Sequence, residues 1–121
     1  MKIETVGKNG VTVAVVTEGM AIIDAATAME LAMTVRYETG CSRIAIDKKL
    51  VCGDFFILST QLAGEILQKF INYRVKMAIY GDYSHYTSKL LHDFIYESNQ
   101  GNDFFFVATK EESVEKLSAA R

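Results

Sequence analysis

Short, strongly apolar segments recur along this chain, and stretches of helical periodicity separate them. The strand-like segments run from Val11 to Val16, Arg43 to Asp47, Val75 to Tyr80 and Phe104 to Ala108. Strands that alternate with helices pair in parallel through right-handed crossovers. The continuous apolar character of the last two segments is typical of strands that are covered on both faces. The sequence therefore predicts an α/β fold with a mostly parallel sheet.

One more strand is predicted at the N-terminus, from Ile3 to Val6. The sequence Lys8-Asn9-Gly10 follows it and favours a hairpin turn, because Asn and Gly accept positive φ. The predicted order is β-β-α-β-α-β-α-β-α, with the mostly parallel sheet following an N-terminal hairpin. A chain of 121 residues, half of them hydrophobic, is long enough for one core. We therefore expect a single α/β domain over residues 1–121.

Capping residues indicate where the first helix begins and ends. Asp24 can accept the unpaired N–H groups of a first turn, and the helix is predicted to reach about Glu38, with Gly40 as its left-handed stop. Its inward face is predicted to consist of Ala25, Ala28, Met29, Ala32 and Met33.

The second helix is predicted to start at Ser59 or Thr60 and to reach about Asn72. The segment from Lys48 to Leu58 is too apolar for an exposed loop, so we expect a packed connection or a short extra turn. The inward stripe of this helix is predicted to be Leu62, Ala63, Ile66, Leu67, Phe70 and Ile71.

Two further helices are predicted in the C-terminal third of the chain. Ser84 or Thr87 opens the third, and Gly101 is expected to end it in the left-handed conformation. Its inward residues are predicted to be Leu90, Leu91, Phe94 and Ile95. A capping box, Thr109 with Glu112, predicts the start of the last helix.

Charge and composition exclude several classes of protein. The net charge is −2, and the nearest basic cluster, Lys48-Lys49, is expected on a solvated surface, so a nucleic-acid partner is not predicted. Cys41 and Cys52 are expected to be free, buried thiols in a reducing cytosol. No signal peptide and no apolar run long enough to cross a bilayer is visible, so we expect a cytoplasmic protein without a membrane partner.

Polar residues follow the predicted parallel strands, at the edge where α/β proteins usually bind ligands. The possible anion- or ligand-binding residues are Asp47, Gly81, Asp82, Ser84 and Lys110. Helix N-termini at this edge would attract an anion. The alternative is that such side chains only cap helices and turns, which is their commonest role.

The sequence contains no catalytic motif that we can assign. There is no nucleophile elbow, phosphate-binding loop or dinucleotide fingerprint, so no cofactor and no catalytic residue is predicted. His85 and His92 lie seven residues apart without a third ligand nearby, so no metal site is predicted either. Whether the protein is an enzyme stays open, and the lack of motifs favours a protein that is not one.

Two blocks carry a resemblance to a known family. They are A-G-E-I-L-Q-K-F-I-N-Y-R-V-K-M-A-I-Y-G-D (63–82) and S-K-L-L-H-D-F-I-Y-E-S-N-Q-G (88–101). With them the chain resembles domain of unknown function family 4180, a family of short prokaryotic domains. The resemblance covers nearly the whole chain and implies a stand-alone domain. It carries no established activity and no catalytic residues.

A second resemblance lies at the level of the fold. The element order is similar to that of STAS domains, the anti-anti-sigma-factor type, and I-A-I-D (44–47) with F-F-I-L-S-T-Q-L-A-G-E-I-L (55–67) resembles their strand, turn and second helix. This resemblance implies that Ser59 or Thr60 occupies a phosphorylatable position. Leu58 and Gln61 depart from the aspartate and glycine that are usual there.

Three functional hypotheses follow. The first is a STAS-like regulatory domain that binds an unidentified protein partner around the second helix, with a phospho-switch at Ser59 or Thr60. The second is a small-molecule or anion-binding domain, with or without enzymatic activity, that uses the strand ends. The third is an oligomerising structural module, for which tyrosines near the third helix offer a homodimer contact.

Overall fold

The computed structural model describes residues 1–121, which form five strands and four α-helices in the predicted order. The strands are β1 (Lys2–Lys8), β2 (Val11–Glu18), β3 (Arg43–Asp47), β4 (Lys76–Tyr80) and β5 (Phe104–Val107). The helices are α1 (Ala25–Thr39), α2 (Leu62–Asn72), α3 (Lys89–Gln100) and α4 (Lys110–Ala119). The sheet order is β1-β2-β3-β4-β5, with one antiparallel pair, β1 with β2, and parallel pairs elsewhere. The predicted α/β class and the mostly parallel sheet are confirmed.

The N-terminal hairpin turns where the sequence predicts it. Asn9 and Gly10 have φ values of 55° and 76°, so both central residues of the turn are left-handed. Such a turn matches the twist of the two strands, and it pairs Lys8 with Val11.

The helices lie in two layers. Because β2 to β5 are neighbours in chain order, right-handed crossovers leave α1, α2 and α3 on one face of the sheet. Successive side chains of a strand point to opposite faces of the sheet. Ile44 and Ile46 therefore pack under these three helices, and Ala45 packs under α4. The small side chains of Ala45 and Ala78 let α4 approach closely, and Leu117 of α4 is fully buried there.

The first helix has the predicted ends. The Asp24 carboxylate accepts a hydrogen bond from the Thr27 backbone N–H at 2.8 Å, and Gly40 is left-handed with φ of 74°. The predicted inward face is only partly right, because Leu31 and Val35 are buried in addition to the two central alanines. The remaining predicted residues, Ala25, Met29 and Met33, are half-buried.

The second helix starts later than predicted, at Leu62 instead of Ser59 or Thr60. The predicted packed connection is present and consists of three 3₁₀ turns, Lys48–Leu50, Gly53–Phe56 and Leu58–Thr60. Gln61 then adopts a left-handed conformation, with φ of 65°, and separates the last turn from α2. Neither hydroxyl residue is therefore the N-cap residue of the helix, which is Gln61.

The third helix is capped by Ser88, so the prediction of Ser84 or Thr87 as its first residue is wrong. The Ser84 backbone N–H is already bonded to the Asp82 carboxylate at 2.8 Å, which holds this residue in a turn outside the helix. Gly101 ends the helix with φ of −92°, so the expected left-handed conformation is absent.

Further sequence-based expectations can be compared directly. Leu90 and Ile71 were expected to face inward, but the exposed fraction of their surface is 71% for Leu90 and 43% for Ile71. Cys41 and Cys52 are free thiols, as predicted, but only Cys41 is buried; Cys52 is half-buried, so its predicted burial is wrong. None of the helices is long and apolar enough to cross a membrane.

Candidate functional site

The turns that follow β3 and β4 bring two of the predicted carboxylates to the carboxyl edge of the sheet. Asp47 Oδ1 accepts a hydrogen bond from the Lys49 backbone N–H at 2.9 Å. Asp82 Oδ1 accepts one from the Ser84 backbone N–H at 2.8 Å. Each carboxylate therefore satisfies a backbone donor of its own turn, and no hydrogen bond joins the two turns.

Lys110, the remaining charged member of the predicted set, lies at the start of α4. Its Nζ is 3.7 Å from the Glu4 carboxylate of β1. Burial raises the pKa of the neighbouring Tyr80 hydroxyl, and the charges of Asp47, Glu4 and Glu111 raise it further. Lysines lie beside two of these carboxylates, Lys110 beside Glu4 and Lys49 beside Asp47, so this side of the edge carries charges of both signs.

The most distinctive feature of the edge is a lysine that lies over three aromatic rings. Lys48 Nζ is 5.0 Å from the ring centroid of Phe56, 5.7 Å from that of Tyr83 and 4.9 Å from that of Tyr86. We call these three rings the aromatic cluster. A β-carbon on Gly81 would lie 2.6 Å from Lys48 Cβ, so this predicted site residue is needed to make room for the lysine. Sequence reasoning missed the arrangement because the rings come from separate segments.

The rings of the aromatic cluster are held by hydrogen bonds and stacking. The Tyr83 hydroxyl donates to the Ile79 carbonyl at 2.7 Å, and burial raises the pKa of that hydroxyl. His85 stacks on the Tyr86 ring at 4.1 Å, and His92 Nε2 is 2.7 Å from the Tyr86 carbonyl oxygen. Both histidines therefore help to hold the Tyr86 wall of the cluster.

The two predicted phosphorylation residues have different environments. Thr60 Oγ1 is 2.8 Å from both the Asp54 and the Ile57 carbonyl oxygens, and it accepts the Leu62 backbone N–H at 3.3 Å. The Ser59 hydroxyl is on an exposed residue and makes no hydrogen bond within the protein. The structure thus makes Thr60 a residue that supports the turn and leaves Ser59 accessible.

Two grooves meet at the turn that contains Ser59. The first, the α2–α3 groove, has a volume of about 690 Å³ and runs along the exposed side of α2. The second, the α3 N-terminal groove, has a volume of about 430 Å³ and lies between this turn and the start of α3. Leu58 lines both grooves, and Ser59 lines the second. The turn is therefore a ridge between them.

A third groove flanks α2 on its other side. It separates α1 from α2, has a volume of about 510 Å³, and is lined mainly by apolar side chains, among them Met29, Met33 and Tyr73. These two methionines are the residues of α1 that were expected in the core. The second helix is therefore bordered by open surface on both sides.

Comparison with known proteins identifies one family. A profile described as domain of unknown function (DUF4180) matches residues 8–117. No curated protein and no solved structure matches the chain. The resemblance to STAS domains stays a prediction from the order of the elements.

Proposed function

Since the chain belongs to the family described as domain of unknown function DUF4180, we propose from its own surface that it is a regulatory protein-interaction domain. Its docking face would consist of α2 and the grooves that border it. The observation that carries the proposal is the ridge at Leu58 and Ser59, which places a free hydroxyl where two grooves meet.

The α2–α3 groove supports a protein segment as the occupant. Leu58 and Phe94 are its two apolar lining residues, and the rest of its surface is polar and nearly neutral because Glu65 and Lys69 offset each other. The polar lining residues are Gln61, Glu65, Gln68, Lys69 and Asn72. The 11 residues of α2 extend over about 16 Å, the length of a three-turn helix. We therefore propose that a short amphipathic helix of another protein docks here, with its apolar side chains on Leu58 and Phe94.

Phosphorylation of Ser59 would be the regulatory step. A kinase would transfer the terminal phosphoryl group of a nucleoside triphosphate to Ser59 Oγ, releasing the nucleoside diphosphate and the hydroxyl proton. The modification adds about −1.5 to −2 charges to the ridge. Since Ser59 makes no hydrogen bond within the protein, this charge would alter docking without disturbing α2, which begins at Leu62.

Gly64 offers a direct test of the docking face. It lines the α2–α3 groove, and a β-carbon there would meet no atom within 4 Å. Gly64→Arg should therefore fill the groove, and it should stabilise α2 because glycine is a poor helix former. Ala119→Arg adds the same side chain to an exposed position on α4 and serves as the matched control.

The experiment is affinity capture from the native host with four baits: wild type, Gly64→Arg, Ala119→Arg and Ser59→Asp. We expect one captured protein to bind both wild type and Ala119→Arg. Gly64→Arg should fail to capture it, and Ser59→Asp should capture a different amount of it. Equal capture by wild type and Gly64→Arg would contradict the docking face. Equal capture by wild type and Ser59→Asp would contradict the switch alone.

A further inference from the structure

Lys48 is held at the sheet edge by aromatic rings alone. Its ammonium group makes no hydrogen bond and no ion pair within the protein, whereas the neighbouring Lys49 lies 3.9 Å from the Asp47 carboxylate. A lysine ammonium within about 6 Å of a ring centroid is attracted by the negative face of the ring. All three rings of the aromatic cluster meet this distance. The cluster therefore binds a cation, and the cation belongs to the protein itself.

The surroundings of the cluster also favour a cation. Hydrogen bonds from Ser84 hold the pKa of the Asp82 carboxyl below its ordinary value, and the charges of His85 and Lys48 lower it further. The Asp82 carboxylate therefore adds a negative charge near the cluster without forming an ion pair with Lys48. The cluster is also preorganised, because the Tyr83 hydroxyl is bonded to the backbone and the ring positions need no rearrangement.

We propose that the aromatic cluster is a binding site for a small quaternary ammonium group, such as that of choline, and that the Lys48 side chain occupies the site when the ligand is absent. A quaternary ammonium is the preferred guest of aromatic surfaces, because it gives up less hydration than a lysine ammonium. Phe56 and Tyr86 also line the α3 N-terminal groove, so two of the three rings border an open groove.

The affinity of the aromatic cluster for a quaternary ammonium ligand would depend on how easily the Lys48 side chain is displaced. The long side chain can move into solvent without breaking a hydrogen bond or an ion pair. While it covers the rings, only the fraction of molecules with an open cluster can bind, and the apparent affinity falls by that fraction. Removal of the lysine ammonium should therefore raise the affinity by about tenfold if the cluster is covered about nine-tenths of the time.

The test follows the tyrosine ring resonances by NMR while choline is added to the full-length protein. We expect saturable shifts in wild type, about tenfold tighter binding in Lys48→Met, and unchanged binding in the control Lys49→Met. The uncharged isostere of choline, 3,3-dimethylbutan-1-ol, should bind at least about fivefold more weakly, because it lacks the cation. Lys48→Gln provides a second neutral variant if Lys48→Met is poorly folded.

Two results would overturn the proposal. One is the absence of saturable shifts in folded Lys48→Met and Lys48→Gln, which would mean that the rings only pack. The other is equal binding of choline and its isostere, which would mean an apolar site. Sedimentation with phosphatidylcholine vesicles distinguishes the source: retention assigns a lipid headgroup, and binding of choline without retention assigns a free ligand.

Discussion

The assignment of different roles to Ser59 and Thr60 can be tested through stability. Thr60→Val removes a hydroxyl that is 2.8 Å from two carbonyl oxygens and that accepts the Leu62 backbone N–H at 3.3 Å. The hydroxyl has one proton, so it donates to one carbonyl at a time, and the loss amounts to about two hydrogen bonds. At about 0.5–1.5 kcal/mol each, and with partial replacement by water, we expect the free energy of unfolding to fall by about 1–2 kcal/mol. Ser59→Ala removes no hydrogen bond and should change it by less than about 0.5 kcal/mol.

The assay is thermal unfolding, supported by urea denaturation at constant pH. For a domain of this size the Thr60→Val loss corresponds to a decrease in melting temperature of about 4–8 °C, and Ser59→Ala should stay within about 2 °C of wild type. Thr60→Ser keeps the hydroxyl and should recover most of the loss. Equal effects of Thr60→Val and Ser59→Ala would refute the reasoning, because the two hydroxyls would then not differ in their structural role.

Three further predictions concern the surroundings of the site and the helix ends. Gly81→Ala should destabilise the protein by about 1–3 kcal/mol in urea denaturation, because the new β-carbon would displace the Lys48 side chain. Gly7→Ala is the control, because a β-carbon at that position meets no atom within 4 Å and causes no clash. Asn99→Ala should cost about 1–3 kcal/mol by the same assay, because the Asn99 amide makes two hydrogen bonds, of 2.8 and 3.0 Å, to the backbone of β5. Hydrogen bonding to the first turn of α1 lowers the pKa of Asp24 from its ordinary value of 3.8. The Asp24 carboxylate therefore stabilises the folded protein fully above pH 3.8, and this stabilisation is lost as the pH falls through the lower pKa of the folded state. Asp24→Asn should therefore lose less stability than wild type between about pH 5 and pH 2, and an equal loss would show that this carboxylate is not responsible.

Short-range sequence patterns were sufficient to predict much of the fold. The Asn9-Gly10 turn, the Asp24 cap and the Thr109 cap depend on residues within four positions of one another, and each lies where the sequence predicts it. The reciprocal half of the predicted capping box is absent, because the Glu112 carboxylate contacts the Thr109 hydroxyl instead of its backbone N–H. The alternation of strands and helices likewise fixed the order of the elements and the parallel pairing. These features need no knowledge of distant contacts.

The errors arose where distant contacts decide the local structure. Ser59 and Thr60 have the composition of helix caps, but the packed connection ends in a 3₁₀ turn, and Gln61 delays the helix. Met29 and Met33 fit the helical period of a core face, and they pack against the core, but each is only half-buried because one side of it lines the groove between α1 and α2.

The same limitation applies to the candidate site. The position of Asp47, Gly81 and Asp82 at the strand ends could be predicted from the parallel topology. The contact of Lys48 with Tyr83 and Tyr86 could not, since it joins separate segments and no sequence pattern connects them. The homodimer expected from the sequence also stays a prediction, and light scattering at high protein concentration is its test.

Photo-crosslinking inside the native host tests the docking face most directly. A photoreactive amino acid would replace Gln68, which lines the α2–α3 groove, or Lys116, which is exposed on α4 on the opposite face of the sheet. We expect a crosslinked partner from position 68, loss of that product when Gly64→Arg is added, and no such product from position 116. Equal products from both positions, or a product at position 68 that survives Gly64→Arg, would contradict the proposal that this protein binds its partner along α2.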